Sequence, residues 1–164
     1  MKFKPVPPAP DSLDALAAAQ RAVPLVPGSE ADCCARLVER LDLPDREAAR
    51  TWLTFLRALE LAVETESGFR RLRTDPTPEH VRERLSDRVY GAAALLEILR
   101  GADGPLTADA AFERFRERVP EWETYRDPDG WEGLWRERVG HLLDWLALVD
   151  LVERVDGGYV AAEE

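Results

Sequence analysis

The feature that most constrains this chain is a repeat within it. Residues Ser29 to Leu41 align without gaps on Thr107 to Val119 at an offset of 78. Leu37 meets Phe115 there, Arg36, Glu39 and Arg40 meet Arg114, Glu117 and Arg118, and the same offset carries Pro27 onto Pro105. Residues Trp52 to Leu72 then align without gaps on Leu142 to Ala162 at an offset of 90. In this stretch Leu53, Leu56, Leu61 and Gly68 meet Leu143, Leu146, Leu151 and Gly158, while Phe55 meets Trp145 and Phe69 meets Tyr159. The second offset is larger by 12 residues, so the second copy carries an insertion of that size at roughly Pro120 to Glu132. A period this long, present twice, means a duplicated domain rather than a solenoid array.

Local signals give the content of each copy. Met1 to Pro10 holds four prolines and little pattern, which reads as an extended, flexible tail. A first helix is expected from about Ser12 to Val23, stopped by Pro24 and Pro27, and a second from the Ser29 cap to about Leu41. A third begins near Asp45, with Ala49, Trp52, Leu53, Leu56 and Leu59 at helical spacing. From Leu61 to Leu72 the pattern becomes that of a hairpin turning at Glu66-Ser67-Gly68. The prolines of Thr74-Asp75-Pro76-Thr77-Pro78 mark a boundary. Beyond it one long helix is expected from Pro78 to Arg100, charged in its first half and apolar from Tyr90 to Leu99. Another helix follows from Thr107 to about Val119, then an irregular stretch, a helix from Gly130 to Val149 and a second hairpin from Leu151 to Val160.

Three helices followed by a hairpin is the order of a winged helix. On the junctions Leu59-Glu60-Leu61 and Val149-Asp150-Leu151, and the hairpin turns Ser67-Gly68-Phe69 and Gly157-Gly158-Tyr159, each half resembles the winged helix-turn-helix superfamily. The likeness covers Leu13 to Leu72 and Arg88 to Val160. The expected fold is therefore mainly α with small β-hairpins (α+β), built as two tandem winged helix-turn-helix modules packed together. Residues 1–10 would be the tail, 11–74 the first module, and 75–164 the second, with its long first helix and the insertion at 120–132. Modules of roughly 70 residues lie near the lower limit of independent stability. The two should thus share an interface, and the apolar half of the Pro78 to Arg100 helix is the segment expected to form it.

Charge bears on what such a fold binds. The net charge is −10, with 32 acidic residues against 22 basic ones, of which only Lys2 and Lys4 are lysines. This acidic, lysine-poor profile resembles proteins of salt-in halophilic archaea; an acidic protein from a GC-rich bacterium is the alternative. At molar salt the Debye length is only ~3 Å, so net charge reports habitat more than partner. No apolar run reaches membrane-spanning length, and the N-terminus lacks a signal-peptide core, so a cytoplasmic protein with no membrane partner is expected. Cys33 and Cys34 are adjacent, which argues against a bridge between them and for a reducing compartment.

Chemistry-bearing motifs are scarce. There is no Walker loop, dinucleotide fingerprint, nucleophile elbow or H-E-x-x-H, and with two adjacent cysteines plus His80 and His141 no usual zinc ligand set. Asp127-Pro128-Asp129-Gly130 lacks the remaining ligands of a calcium loop and reads as a turn. No enzyme, cofactor, metal or small-molecule substrate is expected. The winged-helix resemblance implies DNA contact through the third helix and the wing. In the first module these offer Arg46, Arg50 and Arg57, beside Thr54, and Arg70, Arg71 and Arg73. From Gly68 to Arg88 the local balance is six arginines against four acids. The second module instead carries Trp122, Tyr125, Trp131 and Trp135 in or beside the insertion, residues that dominate protein interfaces when exposed. Two readings stay open: a DNA-binding transcriptional regulator whose second module dimerises or holds a protein partner, and a non-enzymatic adapter made of tandem winged helices.

Overall fold

The computed structural model of the chain describes residues 2–162. The first three helices each start at a side chain that accepts a backbone N–H from the opening turn, which would otherwise lack a partner. Ser12 does this for α1 (Leu13–Ala22), Ser29 for α2 (Glu30–Leu41) and Asp45 for α3 (Arg46–Ala58). Asp42, in the left-handed region, ends α2, and Glu60, at φ 56°, turns the chain out of α3 into β1 (Ala62–Thr65). β1 pairs antiparallel with β2 (Gly68–Arg71), Ala62 opposite Arg71 and Thr65 opposite Gly68. After α4 (Pro78–Arg88) the same sequence of elements returns. It runs through α5 (Ala92–Arg100), α6 (Ala108–Phe115), α7 (Glu121–Arg126), α8 (Trp131–Leu148), β3 (Val152–Val155) and β4 (Gly158–Ala161).

The duplication holds to the level of single hydrogen bonds. Ser29 accepts from the Asp32 N–H, and Thr107, 78 residues on, accepts from the Ala110 N–H. Leu61 N–H donates to the Leu56 carbonyl, and Leu151 N–H to that of Leu146. Asp150 repeats the positive φ of Glu60. Each hairpin gains a third strand reduced to one bridge, Gly28 with Phe69 and Leu106 with Tyr159. Gly68 and Gly158, at φ 132° and 135°, are required there: a Cβ on either would collide with the backbone of that bridging strand.

Four expectations need correction. The single helix over 78–100 is two helices, broken at Val89–Gly91. Val89 pairs with Phe3 as a short parallel bridge, and Gly91, at φ 93°, sits where a Cβ would press on the Phe115 ring. The flexible tail is packed over its described residues. Phe3 bonds to the backbone of Arg88 and Tyr90, Val6 is 5% exposed, and the carbonyls of Val6 and Pro7 accept from His141 Nδ1 (3.2 Å) and Trp145 Nε1 (2.8 Å). The inserted segment is not irregular but contains α7. Finally, α5 packs within the second copy, against α4, α6, α8 and β4, rather than joining the two halves.

The join is made by the third helices. Phe55 of α3 and Trp145 of α8 lie 4.6 Å apart, centroid to centroid, and Trp52 meets Trp145 edge-on at 5.8 Å. Phe55 and Trp145 are equivalent in the repeat, so the copies meet through the same position of their third helices. α4 clamps the C-terminal ends of both helices: His80 Nε2 donates to the Leu59 carbonyl (2.6 Å) and Arg82 Nε to the equivalent Val149 carbonyl (2.7 Å). The Arg82 cation suits that end of a helix, where unpaired carbonyls accumulate partial negative charge. The buried apolar residues of both copies form one continuous core. Among the described residues no helix is long and apolar enough to cross a membrane.

Candidate nucleic-acid interface

Three faces of α3 are committed differently. Ala49, Leu53 and Leu56 enter the core, and Trp52 and Phe55 meet the second copy. The stripe Arg46, Arg50, Thr54 and Arg57 faces outward, as the helical spacing predicts. Its arginines are not free, however. Glu30, in the first turn of α2, pairs with Arg50 at 2.9 Å and with Arg46 at 3.9 Å. Arg57 pairs with Glu64 of β1 at 3.2 Å and lies over the rings of Phe3 and Phe69. Glu30, Arg50, Leu53, Thr54, Arg57 and Phe69 together line a shallow depression of about 90 Å³. A phosphate arriving there would replace a carboxylate, not water.

The wing arginines are divided between two places. The hairpin turns at Glu66-Ser67, so Arg70 and Arg71 lie toward its base rather than at its tip. Arg71 Nε donates to the Val23 carbonyl at 3.0 Å, and Arg73 is exposed beyond the end of β2. Both line a cleft against α1, away from the depression beside α3, and Arg70 lines neither. Among the described residues none of the three has a carboxylate within 4.0 Å, unlike the arginines of α3.

In the second copy the stripe is reduced to one arginine. The positions equivalent to Arg46, Arg50, Thr54 and Arg57 are Arg136, Gly140, Asp144 and Ala147. Arg136 is held by Asp109 (2.8 Å) and Glu113 (3.4 Å). Asp144 accepts from Arg154 and Tyr159 of the second wing, reversing the polarity of the Arg57–Glu64 pair. The architecture is thus one scaffold used twice with different surfaces, and residues 1–164 match the family described as halobacterial double winged helix domain. The chain belongs to that family. No curated protein and no solved structure matches it significantly.

Within this double winged helix the aromatic residues of the insertion separate by burial. Trp135, 2% exposed, packs among Tyr90 and Phe115 and is no surface contact; its helix phase turns it inward. Trp131 is half-buried under Arg116. Trp122 and Tyr125 remain open at 52% and 74%, with Lys4 and Arg126 over the Trp122 ring. Sequence reasoning missed Glu123 between them, which is 4% exposed and lies 3.4 Å from Lys4 and 3.9 Å from Arg138. Burial lowers the Arg138 pKa from its usual value, and Glu123 opposes that shift. This carboxylate ties the insertion, the N-terminal segment and α8 together. Cys33 and Cys34 are both buried and unbridged, and burial raises both thiol pKa values. Among the described residues no three His, Cys, Asp or Glu side chains gather as a metal set.

Proposed function

We propose that the protein is a DNA-binding transcriptional regulator whose first module, residues 11–74, reads duplex DNA, while the second, residues 75–164, holds the first in place and presents a partner surface. The observation that carries this reading is the outward stripe of Arg46, Arg50, Thr54 and Arg57. Module packing leaves it uncovered in one copy, and the other copy keeps only Arg136 and replaces the rest with glycine, aspartate and alanine. Arginine forks suit both guanine edges and phosphates, and Arg70 near the wing supplies further positive charge without a carboxylate partner. Exchange of Glu30 and Glu64 for phosphates is least costly at high salt, where exposed ion pairs are screened. In a mobility-shift titration across salt concentrations, Arg50→Ala with Arg57→Ala should weaken binding and flatten the log–log salt slope by about two. Unaltered affinity and slope would refute the reading.

A second reading, a protein adapter without DNA contact, is favoured by one observation: Trp122 and Tyr125 stand exposed on α7 while the α3 arginines are paired with acids. Trp122→Ala with Tyr125→Ala removes that surface without touching Glu123. Loss of partner capture, with DNA binding absent from the wild-type chain, would favour the adapter.

A further inference from the structure

A cleft of about 590 Å³ opens between α1 and the chain leaving β2, with Arg21, Arg71 and Arg73 on its walls. Its rim is built rather than incidental. Gln20, 6% exposed, donates its side-chain amide to the carbonyls of Leu72 (2.9 Å) and Thr74 (2.7 Å), fixing the strand exit against α1. Arg71 is anchored through Nε on the Val23 carbonyl, which leaves its two terminal nitrogens for another acceptor. Among the described residues none of the three guanidinium groups has a carboxylate within 4.0 Å, and Asp75 is the one acid on the cleft wall. Arg46, Arg50, Arg57, Arg116, Arg136 and Arg154, by contrast, each rest on an acid.

The cluster is no by-product of the duplicated scaffold. Arg71 becomes Ala161 in the second copy. Three guanidinium groups on the wall of one concavity, against one carboxylate, favour an anion there. Arginine forks match the paired oxygens of phosphate, and the volume falls within the range of small-ligand pockets. Leu25, 46% exposed, and Pro76 add an apolar wall.

We propose that this cleft binds a phosphate group, supplied either by a free phosphorylated small molecule or by the backbone of a nucleic acid. The site is separate from the α3 stripe and does not depend on it.

Isothermal titration of the full chain with sodium pyrophosphate, and separately with a short DNA duplex, tests the assignment against Arg21→Gln with Arg73→Gln. Both residues are exposed and neither anchors the fold, so the variant should melt with the wild type. A free-phosphate site is shown by pyrophosphate binding that the double variant weakens about tenfold or more. A backbone site is shown by unchanged or absent pyrophosphate binding together with duplex binding whose salt slope falls by about two in the same variant. If the double variant alters neither titration, the proposal is overturned. Arg50→Ala with Arg57→Ala, which leaves the cleft intact, should not change pyrophosphate binding, so failure of the cleft and failure of the α3 reading are told apart.

Discussion

Glu30 holds two of the arginines on which DNA contact through α3 depends, and it does so from a neighbouring helix. Exposed pairs of this kind contribute at most about 1 kcal/mol, little enough for a phosphate to displace. Glu30→Gln should therefore raise duplex affinity a few fold and steepen its salt dependence, read by fluorescence anisotropy at several salt concentrations. An unchanged isotherm would mean that Arg46 and Arg50 do not meet DNA. Helical spacing placed the arginine stripe on the outer face of α3, and the structure puts it there. Spacing within one helix says nothing of partners on another, so Glu30, 20 residues from Arg50, left no trace in the pattern. Gly68 and Gly158 were legible as turn residues. Their second role, admitting the bridging strand, depends on Gly28 and Leu106, which carry no strand signal of their own.

Among the elements, α7 and the N-terminal segment were the hardest to read. A proline-rich stretch has no hydrophobic period and few donors, so its docking through the Val6 and Pro7 carbonyls is invisible in one dimension. The break between α4 and α5 was hidden for the opposite reason: the apolar period continues through it, and only Gly91 interrupts a run of helix formers. The hairpins were legible because a duplicated Gly-aromatic pair marks the same point in both. Glu123 gives the inserted helix its structural weight. Removing one member of a buried charge group strands the others, and Lys4 and Arg138 both lose their carboxylate partner. Glu123→Gln should cost about 3–5 kcal/mol, seen as a lower urea midpoint, and should free the N-terminal segment to early proteolysis. A variant as stable as the wild type would show that Arg138 finds water instead.

At the scale of the whole molecule, the copies meet through equivalent aromatic residues and share one core, so neither half has an apolar boundary of its own. Trp145→Ala removes the ring that touches Phe55 and Trp52 and also donates to Pro7, a loss of about 3–5 kcal/mol. Calorimetry should show one transition moved to lower temperature; two separated transitions would mean that the modules unfold independently. The bond from Trp145 to the Pro7 carbonyl also sets an order of events during synthesis. Its partners are 138 residues apart, so the segment around Pro7 can take its place only after the residues up to α8 have been made. Until then the indole of Trp145 lacks this acceptor and the face of α8 beneath the N-terminal segment stays bare. A contact of such long sequence separation costs much chain entropy to close, so this fastening belongs to the late part of folding.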